Sequence, residues 1–107
     1  MSMASAGNQR GWRVGREHSQ NALEVVLLAR MYVLPWAQFL YAEGDDDEVR
    51  LIFATHDVVA RGAGLQALLS DLAAQRLIGL DEPTRSDWFG QTKSRCVREL
   101  SVHKVDS

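Results

Sequence analysis

The chain has 107 residues, of which 46% are hydrophobic and 24% are charged. This length fits one domain and excludes two, and the composition is that of a globular protein. The formal net charge is −2 and Cys96 is the sole cysteine. General attraction to phosphate backbones or anionic lipid is therefore excluded, and so is an internal disulfide framework.

The first twenty residues predict a flexible arm. They hold Gly7, Gly11 and Gly15 among mostly polar side chains and show neither of the apolar periods, 2 or 3.6, that folded segments have. They also lack the apolar stretch of a signal peptide, and a chain without disulfides fits a reducing compartment. We therefore expect an arm over 1–20 and a single α+β domain over 21–107, in a cytoplasmic protein.

The arm interleaves basic and aromatic side chains, a pattern that can bind nucleic acid through phosphate contacts and base stacking. Further along, Arg61 stands beside a two-glycine link to a helix, where backbone donors can hold an anion. These features give the hypothesis of a nucleic-acid or anion-binding adaptor, although the negative net charge weighs against it. The residues concerned are Arg10, Trp12, Arg13, Arg16 and Arg61.

The segment 22–34 fits either a helix or a strand. Asn21 and Glu24 have the spacing of a helix capping box, whereas the unbroken apolar run 25–28 suits a buried strand. Both alternatives remain open. The wider apolar window is long enough to cross a bilayer, but its charged and polar residues would cost roughly 3 kcal/mol each at hydrocarbon depth. No membrane partner is predicted.

Residues 36–54 predict a β-hairpin. An aromatic-rich segment is followed by a Gly-Asp turn, in which glycine accepts positive φ and aspartate caps the backbone. Val49, Leu51 and Phe53 then alternate with outward positions, which is the strongest period-2 signal in the chain. A tight turn at 55–57 and a short third strand are expected to follow.

A clean apolar stripe predicts one amphipathic helix over about 64–76, formed by Leu65, Leu68, Leu69 and Leu72. Two more strands follow, over 77–80 and 97–105. The predicted fold is α+β: a small antiparallel sheet of about five strands, with a meander first and the helix packed on one face. A single helix covers one face only, so the other needs the N-terminal segment or another chain.

That uncovered face suggests the leading functional hypothesis. The strand beginning at Trp36 has apolar side chains on both faces, and aromatic residues are enriched at protein interfaces. Trp36, Phe39 and Tyr41 are therefore the predicted interface residues. The chain is interpreted as a non-catalytic interaction or oligomerisation module, with a second copy or another protein as its partner.

A small enzyme using His56 with Asp57 or Cys96 is a further hypothesis, because histidine beside a carboxylate or thiol can act as a base. Adjacent strand residues point to opposite faces, however, so Asp57 is poorly placed to orient His56. The acidic run 43–48 is too contiguous for a calcium loop, and no zinc spacing occurs. No catalytic set, metal or cofactor is predicted.

Overall fold

The computed structural model describes residues 11–15, 21–84 and 96–105. Within these ranges the chain forms eight strands, one α-helix and one short 3-10 helix. In chain order they are β1 (Trp12–Val14), β2 (Ala22–Val26), β3 (Met31–Pro35), the 3-10 helix (Trp36–Gln38), β4 (Phe39–Gly44), β5 (Glu48–Phe53), β6 (His56–Ala63), α1 (Gln66–Ala73), β7 (Leu77–Asp81) and β8 (Cys96–Lys104).

The strands form two four-stranded sheets. Sheet A has the order β1-β7-β2-β3, and sheet B has the order β4-β5-β6-β8. All neighbouring strands are antiparallel except β2 and β7, which are parallel. A parallel pair needs a long crossover, and here the crossover contains β3, the first three strands of sheet B, and α1.

One hydrophobic cluster holds the two sheets and α1 together. The period-2 pattern of β5 turns Val49, Leu51 and Phe53 into this cluster, and Leu23 and Val25 enter it from β2. Leu65 and Leu68 enter it from the beginning of the helix and from its first turn. Each sheet therefore covers the inner face of the other, so the chain supplies the cover that a one-sheet fold would lack.

The α+β class with a single helix is confirmed among the described residues, but its details differ from the prediction. Eight strands in two sheets replace the single sheet of about five. The segment 22–34 forms the β2–β3 hairpin, so it is a strand segment and not a helix. The helix spans 66–73 instead of about 64–76.

The flexible-arm prediction is wrong for residues 12–14, which form β1 at the edge of sheet A. Trp12 is only 1% exposed, and its indole Nε1–H donates to Asp71 Oδ2 of α1 at 2.9 Å. Three residues are too few to show an apolar period, so the sequence pattern does not predict this strand. The remainder of 1–20, apart from Gly11 and Gly15, lies outside the described residues.

The acidic residues between β4 and β5 form a hydrogen-bonded turn. Asp45 Oδ1 accepts from the backbone N–H groups of Asp47 at 2.8 Å and Glu48 at 3.0 Å. The Asp46 carbonyl accepts from Leu65 N–H at 3.0 Å, and its Oδ1 accepts from Gln66 N–H at 3.2 Å. The donors at the start of α1 are thus already bonded within the chain.

In the part of the chain that the structure describes, α1 is the only α-helix. No described helix is long and apolar enough to cross a membrane.

Candidate interaction surface

The β2–β3 hairpin presents one side of β3 at the edge of sheet A. Its two strands pair one to one from Ala22 opposite Pro35 to Val26 opposite Met31, without a bulge. The turn is anchored to the chain after β7. Glu82 Oε1 accepts from Leu28 N–H at 2.8 Å, and Glu82 N–H donates to the Val26 carbonyl at 2.8 Å. These hydrogen bonds hold the β2–β3 hairpin, and with it the β3 edge, in a fixed position.

The hydrogen-bond pattern decides which backbone groups face outward. Leu27 N–H donates to the Arg30 carbonyl, and Trp36 N–H donates to the Asn21 carbonyl. Because bonded pairs alternate along an antiparallel ladder, the even-numbered residues of β3 bond to β2. The N–H and C=O groups of Met31 and Val33 consequently point to the free edge. Pro35 lies on the same side, where its missing N–H leaves the β2 pairing intact.

The outer side chains beside this edge are apolar. Leu28 is 64% exposed, Met31 52% and Val33 58%, and half-buried Val26 lies opposite Met31. We call these four side chains, with the outward backbone groups of β3, the β3 surface. Apolar side chains next to unpaired strand donors and acceptors are a ready template for another strand.

The other half of the same sheet face is polar and internally neutralised. Arg13 of β1 forms ion pairs with Asp81 at 2.9 Å and Glu24 at 3.0 Å. Burial alone would lower the pKa of Arg13, but hydrogen bonds to these two carboxylates outweigh burial and raise it. The guanidinium lies over Gly79, where any Cβ would overlap it. The Arg13 side chain therefore covers the part of this sheet face that adjoins the β3 surface.

The other three described sheet edges each carry a feature that discourages strand addition. β1 has only three residues with Arg13 at its centre. β4 is interrupted by a bulge at Leu40. β8 has a register shift and a series of charged or titratable residues: Arg98, Glu99, His103 and Lys104. β3 has no bulge and no charge. Charges, bulges, prolines and short strands are the usual protection of edges. Of the four described edges β3 has the least protection, because its only such feature is Pro35 at its end.

Of the three aromatic residues predicted to form an interface, two pack against the core and one is exposed. Trp36 and Phe39 pack against the core, and both rings contact Phe53, with centroids 5.8 and 5.3 Å away. Tyr41 is 52% exposed on β4. Two of the three side chains thus contribute to the chain's own packing, and the exposed apolar residues of β3 were missed. Residues 31–34 are all apolar, so the sequence alone does not separate the exposed positions of β3 from the buried ones.

The indole Nε1–H of Trp36 is buried without a hydrogen-bond acceptor among the described residues. Such a donor costs about 1–3 kcal/mol, whereas the smaller ring of phenylalanine loses some packing. We expect Trp36→Phe to change the free energy of unfolding by less than about 1 kcal/mol. Trp12→Phe is the matched control. It removes the bond to Asp71 and should cost about 2 kcal/mol or more in urea titrations. Equal losses would contradict this difference.

The basic residues of the predicted anion site do not converge. Trp12 is buried and Arg13 is bound to two carboxylates. Arg61 forms ion pairs with Glu48 at 3.3 Å and Glu99 at 3.7 Å. The backbone donors at the start of α1 are already bonded to Asp46. Arg10 and Arg16 lie outside the described residues. Nothing in the described chain concentrates positive charge at one place around these side chains.

The residues of the enzyme hypothesis are also separated. β6 begins at His56, which corrects the predicted turn at 55–57, and places Asp57 on the opposite face of the strand. Cys96 pairs with Ala63, seven residues from His56 along β6, roughly 20 Å along the strand. The Nδ1 atom of His56 instead shares a hydrogen bond of 2.8 Å with Thr55 Oγ1.

A second histidine lies on the outer face of sheet B. His103 is opposite Asp57, and its Nε2 shares a hydrogen bond of 3.2 Å with Ser101 Oγ. His103 and Asp57 line an open groove of about 740 Å³, whose other charged residues are Arg50, Arg61, Glu82, Arg98 and Glu99. Asp57 Oδ1 is buried without a hydrogen-bond partner among the described residues.

Comparison of the chain with protein-family models, with curated proteins and with solved structures found no match.

Proposed function

We propose that the chain is a non-catalytic interaction module that takes up a strand of another polypeptide at the β3 surface. The observation that carries this proposal is the state of the β3 edge. Met31 and Val33 direct backbone groups outward that have no partner among the described residues, and both residues are more than half exposed. Strand addition satisfies the backbone groups through hydrogen bonds and buries apolar area at the same time.

The gain in buried apolar area favours the β3 surface over Trp36 and Phe39. Trp36 and Phe39 are already packed within the chain, so a partner would gain little new apolar contact from them. Each exposed side chain of the β3 surface would bury fresh apolar area, worth about 25 cal/mol per Å². The anchored hairpin also lowers the entropic cost of ordering the binding edge.

Site-directed photo-crosslinking in the full chain tests the proposal. With p-benzoylphenylalanine in place of Met31, irradiation of cells producing the protein should give one dominant covalent adduct. A second substitution, Val33→Pro, removes an outward N–H and should abolish that adduct. The matched control carries the photo-reactive residue in place of Leu40, which is 62% exposed on β4. Equal adducts from both positions, or adducts that survive Val33→Pro, would contradict the proposal.

A further inference from the structure

We infer that the strand added at β3 is β3 of a second copy, running antiparallel, with Tyr32 facing Tyr32 across a two-fold axis. This inference rests on the proposed function and names its partner. Met31 and Val33 each offer one N–H and one C=O. In a two-fold pair, Met31 of each copy lies opposite Val33 of the other.

This register satisfies every outward group of those two residues. Antiparallel partners that exchange hydrogen bonds do so in pairs. Met31 with Val33 of the other copy gives two bonds, and the symmetric pair gives two more. Tyr32 is then a non-bonded pair on the axis, and its own backbone groups stay with β2. No donor or acceptor of Met31 or Val33 is left over.

Pro35 excludes the neighbouring register, in which Val33 faces Val33. That arrangement places Pro35 opposite Met31, where the proline lacks the required N–H and its ring occupies the space of the hydrogen. In the inferred register Pro35 falls opposite Ala29, which lies in the turn outside β3. Pro35 therefore sets the register without weakening the pairing.

Arg30 disfavours the register shifted the other way, in which Met31 faces Met31. The two exposed Arg30 residues would then approach to within about two residues along the strand axis, roughly 7 Å. In the inferred register they are about four residues apart, roughly 13 Å, which exceeds the Debye length of about 10 Å at 0.1 M salt. Like-charge repulsion is screened there.

The side chains of the outer face also match. Val26, Met31 and Val33 lie on this face, and pairing joins the row Val26–Met31 of one copy to Val33 of the other. The symmetric row repeats this contact, so six apolar side chains form one continuous strip. A strand edge of five residues is small against the roughly 1,200 Å² that stable interfaces bury in total. The inferred dimer is accordingly a weak, reversible one.

Disulfide formation between purified full-length chains tests the register. Cα atoms of a non-bonded antiparallel pair lie about 4.5 Å apart, within the range of about 4.4–6.8 Å that a disulfide needs. Tyr32→Cys should therefore give a disulfide-linked dimer under mild oxidation. In the same register the two Cα atoms of residue 33 are roughly 8–9 Å apart, so Val33→Cys should not. Cys96 is 1% exposed, and the wild-type chain is the control.

The outcomes separate this inference from the proposed function. A dimer that cross-links through Val33→Cys but not Tyr32→Cys overturns the register, while strand addition at β3 stands. A purified protein that stays monomeric and does not cross-link overturns the second copy as partner, while a Met31 adduct with a different protein would still support the proposed function. If neither the adduct nor the dimer forms, both are contradicted.

Discussion

Trp12→Ala is expected to lower the free energy of unfolding by about 3–5 kcal/mol, the range for a buried aromatic side chain replaced by alanine. Trp12 is fully buried in the shared core, and the substitution also removes its hydrogen bond to Asp71. A small domain has a total stability of only about 5–15 kcal/mol. The variant should therefore show a much lower urea midpoint with a similar m-value.

Val14→Ala is the matched control for this effect. Val14 ends the same strand but is 39% exposed, and surface substitutions of this kind usually change stability by less than about 0.5 kcal/mol. A Trp12→Ala variant that unfolds within about 1 kcal/mol of the wild type would contradict the assignment of β1 to the core. The nucleic-acid hypothesis would then regain an accessible aromatic residue in the N-terminal segment.

Val33→Pro is expected to weaken self-association at least about tenfold, equivalent to about 1.4 kcal/mol. The Val33 N–H supplies two of the four inter-chain hydrogen bonds once both copies are counted, and the proline ring blocks the position. The substitution should leave the monomer folded because that N–H points away from β2. The measurement is sedimentation equilibrium, with the thermal midpoint recorded alongside.

Two controls make this result specific. Tyr32→Pro removes an N–H that bonds to β2, so it should destabilise the fold by about 3 kcal/mol or more. Leu40→Ser removes exposed apolar surface from β4 and should leave association unchanged. If Val33→Pro unfolds the chain as Tyr32→Pro does, the outward direction of the Val33 N–H is wrong.

Local patterns predicted those elements whose burial repeats along several residues. The alternation of Val49, Leu51 and Phe53 marked β5, and the leucine stripe marked the helix, because each exposes one face to the core throughout its length. The 22–34 segment stayed undecided because the apolar run 25–28 fits both periods. Pairing with β7, more than fifty residues away in the chain, is what makes β2 a strand.

Long-range contacts explain what the sequence could not show. Trp12 is buried through an element 59 residues away, and no local signal distinguishes this from a mobile tryptophan. A parallel pairing between β2 and β7 divides the strands into two sheets, and nothing in either strand specifies its partner. The prediction that a partner must cover the strand of Trp36 and Phe39 depended on the assumption of a single sheet.

At the candidate site, too, local sequence patterns and long-range contacts have to be distinguished. The aromatic-rich segment 36–41 was predicted as a strand, but residues 36–38 form a 3-10 helix and β4 begins at Phe39. The contact of Trp36 and Phe39 with Phe53 turns both rings toward the core. The exposed pair Met31 and Val33 is chemically ordinary, and it becomes distinctive only when the other described edges prove to be protected. Edge position is a property of strand order, which no residue pattern in this chain encodes.

The molar mass of the purified full-length chain, measured by light scattering from about 5 to about 500 µM, is the most direct test of the central claim. Pairing through β3 predicts a mass that rises with concentration from 12.0 kDa toward twice that value, and that stays at one chain for Val33→Pro. A wild-type mass fixed at one chain over the whole range would contradict self-pairing, as would a dimer that Val33→Pro leaves intact.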